Sequence, residues 1–314
     1  MKKRKAFFTA MMAAIMLTSS ETVFVQALPV QEAELLYDQK TVVDPAKKEG
    51  LQITDSGITF GANGKKVKKS WINYKGSRYY FGADGYAYVG SHKIAKKLYV
   101  FDENGCLLSK KKNKLVNVCG KTYYITTQNG NPATGYFVYR QNLYYADSMG
   151  VCYQNQESED GKYYFTEKGT AKRTTDALLK IQTMQILSKI TTPKMTRAQK
   201  LKACWNYVVD RKRFRYGGFD PDLEEEGWYK ETALNMFRQK RGNCYSFACA
   251  FAALAQEIGY KNIKLKVSKS THCWVTINDK HYDPQKQRSG TMKGVYGLKR
   301  HPKKYGKLKT YDFK

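Results

Sequence analysis

Three residues in the C-terminal half have the types and order that nucleophilic chemistry requires: Cys244, His272 and Asp283. A thiol attacks well only after losing its proton, an imidazole within reach takes that proton, and an acid fixes the ring's tautomer and steadies its charged form. Cys244 stands in the stretch RGNCYSFACAFAALAQEIGY, residues 241–260. Phe247, Phe251, Leu254 and Ile258 recur at steps of four, three and four and predict a buried helix over 245–258, stopped by Gly259. Asn243 is a candidate N-cap, which puts Cys244 at the positive end of the helix, where a lowered thiol pKa is expected. Cys249, more than a turn inside, reads as a small core residue. Taken alone, Cys244 serves equally well as a structural residue.

The segment THCWVTINDKHYDPQ supplies the partners. It alternates as a strand from His272 to Ile277, turns at Asn278-Asp279 and returns, so Ile277 faces Lys280 and Trp274 counts back to Asp283. His272 and Asp283 then share one face at a diagonal spacing that side chains bridge, and a bulge would bring them into direct register. Cys244, His272, Cys273 and His281 could ligate a metal on paper. Neighbours on a strand point to opposite faces, however, so His272 and Cys273 do not share an ion easily, and neither a metal nor a cofactor is expected. His281 beside the turn is expected to be exposed; His92 lies in a repeated region and His301 in a basic tail.

The order G-x-C at a helix start, His-x-Trp on a strand and Asp-Pro on the next, at separations of 28 and 11 residues, resembles the bacterial transglutaminase-like core over about residues 176–290. Papain-like peptidases also run Cys then His, but with a far longer gap and usually an Asn. The resemblance implies a papain-like α+β fold with Cys244 as nucleophile, His272 as base and Asp283 as orienter. It also implies an oxyanion hole that includes the Cys244 backbone N–H, with Trp205 or Trp228 as a further donor. The activity implied is attack on an amide carbonyl, of a peptide or a glutamine side chain, through an acyl-enzyme that water or an amine resolves. The acidic stretch DPDLEEE, 220–226, reads as a solvated loop rather than a calcium site.

Helices must frame such a site. TTDALLKIQTMQILSKI has apolar residues at helical spacing, TRAQKLKACWNYVVDRKRF places Leu201, Cys204, Trp205 and Val208 on one face, and a third short helix fits 229–238. Upstream, from about 51 to 171, the chain repeats itself: two or three aromatics, a few polar residues, then glycine, as in GSRYYFGADGYA and DGKYYFTEKGTA. The marker glycines 64, 85, 105, 130, 150 and 169 recur every 19 to 25 residues, which predicts a stack of β-hairpins with glycine at tight turns. This array resembles the cell-wall-, choline- or glucan-binding repeats of Gram-positive surface proteins. It departs from them in holding one tryptophan, Trp71, where those repeats build cages from several.

The expected organisation is therefore a secretory signal peptide at 1–27, a linker at 28–50, an all-β hairpin-repeat array at 51–171 and an α+β catalytic domain with a basic tail at 172–314. The signal rests on MKKRK, a short apolar run and Val25-Gln26-Ala27; that run is too short for a membrane span. Formal charge is +28, and the four basic and one acidic residues of 1–27 leave +25 on the remainder. Outside a cell such a surface suits anionic wall polymers or acidic glycans, and nucleic acid is a poorer fit. Seven cysteines form no dense disulfide framework. The sequence thus points to a secreted, wall-associated thiol enzyme of a Gram-positive bacterium; the alternative is a non-catalytic surface protein that binds wall or glycan.

Overall fold

The computed structural model describes residues 49–218, 220–269 and 272–314. The expected signal peptide and nearly all of the 28–50 linker lie outside the described residues.

The repeats form antiparallel β-structure. A three-stranded sheet (Gly50–Thr54, Gly57–Ala62, Lys65–Lys66) is followed by hairpins at Ser70–Tyr74/Ser77–Phe81, Gly90–Ile94/Lys97–Phe101, Lys114–Val118/Lys121–Ile125 and Gly135–Tyr139/Asn142–Ala146. A short Gln156–Glu157/Tyr164–Phe165 pair ends the array. The marker glycines do adopt positive φ, between 69° and 81°, but their place differs from the expectation. Of the six, only Gly64 joins paired strands; the hairpin turns are pairs such as Lys75-Gly76 (φ 46° and 75°) and Arg140-Gln141 (φ 46° and 61°). The other markers turn the chain out of one hairpin and onto the previous one.

Packing explains why glycine is kept there. The last residue of each hairpin's second strand (Phe81, Phe101, Ile125, Ala146, Phe165) is fully buried and bridges to the residue two positions after the next marker. A side chain on Gly105 would press on Ala87, and one on Gly150 would press on Pro132, each the bridging residue of a preceding unit. Leu107, Cys152 and Ala171 donate backbone N–H groups to Arg78, Thr122 and Leu143 of the preceding hairpins (2.7, 2.8 and 2.8 Å). Each hairpin is too small to be stable alone, and this stacking supplies its missing core.

Helix α1 (Thr175–Ile190), capped by Thr174, joins the two halves. Ala177 and Ile181 pack with Leu143, Phe165 and Ala171 of the array, while Leu179 and Ile186 enter the second core. Helix α2 (Arg197–Val209) starts in a Thr196/Gln199 capping box and buries Leu201, Cys204, Trp205 and Val208, the face read from the sequence. A two-residue strand β1 (Arg215–Tyr216) precedes α3 (Trp228–Gln239) and pairs in parallel with β2 (Arg241–Gly242), which leads directly into α4 (Cys244–Glu257).

The α4 helix packs against a five-stranded antiparallel sheet made from β3 (Ile263–Ser268), β4 (His272–Ile277), β5 (Lys280–Tyr282), β6 (Tyr296–Leu298) and β7 (Leu308–Asp312). Strand order is β6-β5-β4-β3-β7, and α5 (Pro284–Ser289) lies between β5 and β6. Every residue of α4 from Cys244 to Ala255 is buried, and Phe247, Phe251 and Leu254 each contribute roughly 2–3 kcal/mol of apolar burial. The architecture is α+β, a helical layer against one antiparallel sheet, preceded by the hairpin array.

Candidate active site

The site is assembled where the start of α4 meets the central strand β4. Asn243 caps α4: its Oδ1 accepts the Ser246 N–H at 3.3 Å, and its Nδ2 donates to Asp220 at 2.7 Å. The acidic stretch is therefore not merely solvated, because Asp220 is tied to the residue preceding Cys244. Gly242 is required beside the cap, since a Cβ there would overlap Ser246. These two contacts set the position of Cys244 as the first residue of the helix, 6% exposed.

His272 opens β4, and the hairpin that follows has the register read from the sequence: Ile277 opposite Lys280, with Asn278 and Asp279 at φ 48° and 60°. Pairing stops at Val275 and Tyr282. Asp283 thus leaves the strand, becoming the N-cap of α5 and accepting the Lys286 N–H on Oδ1 at 3.0 Å. That turn aims its Oδ2 at His272 Nε2, 2.7 Å away, so imidazole and carboxylate are in direct contact. His272 is 6% exposed and Asp283 is fully buried.

Burial alone would push the Asp283 carboxyl up. Hydrogen bonds from His272 and His301, the attraction of His272 and the Lys286 N–H outweigh it and hold the group below the usual carboxylate range. Cys244 behaves differently from the expectation for a helix N-terminus. Burial pushes its thiol up, more than the backbone N–H groups of Cys273 and Tyr245 pull it down, and the negative charges of Asp220 and Asp283 add to the rise. The N–H groups near the thiol place it against β4, one residue along from His272. Desolvation beats the helix end here.

Two residues line the site that the sequence reading did not place there: His301, assigned to the basic tail, and Tyr305, not singled out at all. His301 is not a tail residue: its Nε2 lies 3.0 Å from Asp283 Oδ2, and its ring packs 4.7 Å from Trp274. Tyr305 stacks 5.3 Å from the His272 ring and 4.9 Å from Trp274. Its hydroxyl is buried without a hydrogen-bond partner among the described residues, and burial, then the charges of Asp283 and Cys244, push its pKa up to about 12. His281 is half-buried rather than exposed; its Nδ1 accepts the Trp274 indole N–H at 3.0 Å. No hydrophobic period marks residues 299–307, which is why the sequence did not reveal them.

His272, Asp283 and His301 bring three potential ligand atoms within 4.8 Å of one another, the one such group among the described residues. The shared carboxylate oxygen is already engaged by both imidazoles. Of the candidate oxyanion donors, Trp205 is locked among Phe251, Tyr282 and Tyr296. Trp228 lies 6.1 Å from the ring of Tyr245, the residue after Cys244, and its indole N–H is buried with no partner among the described residues. Trp228 also lines a cavity of about 250 Å³, with Gly242, Ser246 and the acidic Asp220, Asp222 and Glu225. All seven cysteines are free.

Residues 184–282 form a domain of the Transglutaminase-like superfamily, whose family model they match. The transglutaminase-like segment ends one residue before Asp283 and contains both Cys244 and His272. Among curated relatives, Glucosyltransferase-I of Streptococcus downei is 25% identical over 135 residues, covering 42% of this chain and 8% of that protein. Glucosyltransferase-S of Streptococcus mutans serotype c is 30% identical over 136 residues, covering 39% of this chain and 9% of that protein. The chain thus spans less than a tenth of the length of these relatives. Among solved structures, choline binding protein F from Streptococcus pneumoniae is 21% identical with a TM-score of 0.29, covering 40% of this chain and 41% of that one.

Proposed function

We propose that this protein is a secreted, cell-wall-associated thiol enzyme that acts on amide bonds of peptides or glutamine side chains. The observation that carries the reading is the 2.7 Å contact between His272 Nε2 and Asp283 Oδ2, with Cys244 held against the same strand. With Nε2 committed to Asp283, Nδ1 of His272 is the nitrogen left for the thiol proton. The thiolate adds to the amide carbonyl, and the Cys244 backbone N–H and Trp228 Nε1 receive the oxyanion. His272 returns its proton to the leaving ammonia or amine, which leaves a thioester on Cys244. Water then releases an acid, or a second amine takes the acyl group.

The acidic cavity beside Gly242 suits an amine-bearing acceptor on an otherwise basic protein, which favours transfer over hydrolysis. Mass spectrometry of a glutamine peptide incubated with and without a primary amine tests this. The expected product is the amine-linked peptide with loss of ammonia, absent with Cys244→Ala. Full amide-bond activity in Cys244→Ala would end the reading.

The array is proposed to hold the enzyme on an anionic wall polymer or glycan. Several of its aromatic faces already carry the protein's own cations: Arg78 lies 4.2 Å over Trp71, Lys66 3.5 Å over Tyr86 and Lys172 4.4 Å over Tyr164. A choline cage would need such faces free, whereas a positive group on an aromatic platform suits an acidic sugar polymer. No helix among the described residues is long and apolar enough to cross a membrane.

One observation favours the alternative of a non-catalytic wall- or glycan-binding protein: Cys244 and His272 are each only 6% exposed. Site-resolved thiol alkylation separates the two, since a retired site has no reason to make Cys244 reactive.

A further inference from the structure

We propose that His301 is a positioning residue of this site, holding the Asp283 carboxylate in place for His272; the inference rests on the catalytic reading of Cys244, His272 and Asp283. Asp283 is fully buried, and each of its oxygens is accounted for. Oδ1 accepts the Lys286 N–H at 3.0 Å, and Oδ2 accepts from His272 at 2.7 Å and from His301 at 3.0 Å. With Oδ1 anchored only by the Lys286 N–H, an Oδ2 held by one imidazole alone keeps freedom to shift as that imidazole gains and loses a proton. A second donor on the same oxygen removes that freedom.

His301 is built for this role rather than placed by chance. Its side chain is 5% exposed although its neighbours are Lys299, Arg300, Lys303 and Lys304. With Nε2 on Asp283, Nδ1 lies 3.1 Å from the Lys303 carbonyl oxygen and 3.2 Å from the Lys303 N–H, so both ring nitrogens have partners. Trp274 packs on one side at 4.7 Å and Tyr305 at 5.2 Å, which fixes the ring plane. The ionisable groups facing it are Asp283, His272 on β4, His281 on β5 at 6.3 Å, and Tyr305 of its own segment. A residue that merely pinned the C-terminal segment to the sheet would not need to spend its donor on the oxygen that orients His272.

Two variants of the full chain separate positioning from stapling. His301→Phe keeps an aromatic ring against Trp274 and removes the donor; His301→Gln keeps an N–H at the reach of Nε2. The readouts are the rate at which iodoacetamide alkylates Cys244 at pH 7 and the downfield NMR signals of the two imidazole N–H protons on Asp283. His301→Phe is expected to slow alkylation about tenfold, the scale of a misplaced catalytic group, and to shift or lose the His272 N–H signal as well as its own. His301→Gln is expected to restore the rate to within about twofold and to keep the His272 signal. Wild-type alkylation and an unchanged His272 signal in His301→Phe would overturn the proposal. If His301→Phe does not fold, His301→Asn, too short to reach Asp283, takes its place; if neither folds, His301 is a structural anchor and the proposal falls. His272→Ala is the control: if it alkylates as fast as wild type, the catalytic reading itself fails, independently of His301.

Discussion

Gly242 lies directly under Ser246 in the first turn of α4, so close that a Cβ at 242 would overlap the serine side chain. The glycine two residues before Cys244 is therefore a packing requirement, and it ties β2 to the helix end that presents Cys244.

Gly242→Ala is expected to destabilise the protein by about 1–3 kcal/mol, the usual cost of overpacking, and to slow Cys244 alkylation by displacing the helix start. Urea unfolding and site-resolved alkylation check it. A variant with unchanged stability and reactivity would show that this contact does not set the position of Cys244.

Asp283 predicts an acid sensitivity. Its carboxyl is held below the ordinary value, so its contribution to stability is fully present above the unfolded carboxylate pKa of about 4 and is lost as pH falls through the lower folded value. Asp283→Ala leaves two imidazoles without their partner and is expected to cost about 3 kcal/mol at pH 6–7. The gap between wild type and variant should narrow below about pH 4. Denaturant unfolding across pH 3–7 measures it, and a gap that grows on acidification would contradict the assignment.

Trp228→Phe separates oxyanion support from thiol activation. Loss of the indole N–H is expected to lower kcat on a glutamine peptide about a hundredfold, the scale of one oxyanion donor. Alkylation by iodoacetamide forms no oxyanion and should stay near the wild-type rate. Equal losses in both would make Trp228 a packing residue only.

The cation–aromatic pairs of the array predict salt-sensitive binding. Arg78→Ala and Lys66→Ala together are expected to weaken sedimentation with an anionic wall polymer, and 0.5 M NaCl should do the same to the wild-type chain. Retention on a choline matrix, undiminished by salt, would reverse the choice of ligand class.

Cys244, His272 and the hairpin after them were legible because each rests on short-range rules. Four-three-four apolar spacing gives the helix, and Asn278-Asp279 fixes a register that no side chain can slip without exposing β4. The turn of Asp283 into an N-cap was not read from the sequence, where Asp283 was kept on the return strand, although Pro284 at the first helical position signals it. His301 was hidden because it reaches Asp283 through a basic stretch with no apolar period, and only tertiary packing against Trp274 buries it. The thiol's upward shift was hidden for a similar reason: the helix end is local, whereas the burial that overrides it comes from tertiary packing. In the array the glycines announced the period, but the stacking of Gly105 on Ala87 follows from contact between units, which spacing alone does not state.

The central claim, that Cys244 is a nucleophile activated by His272, is tested most directly by alkylating the folded protein at pH 7 and resolving all seven cysteines by mass spectrometry. Cys244 is 6% exposed and Cys119 is open to solvent, so accessibility alone would label Cys119 first. The account predicts that Cys244 is labelled ahead of Cys119 and that His272→Ala slows Cys244 about a hundredfold while leaving Cys119 unchanged. Labelling of Cys119 first, with Cys244 indifferent to His272→Ala, would contradict it.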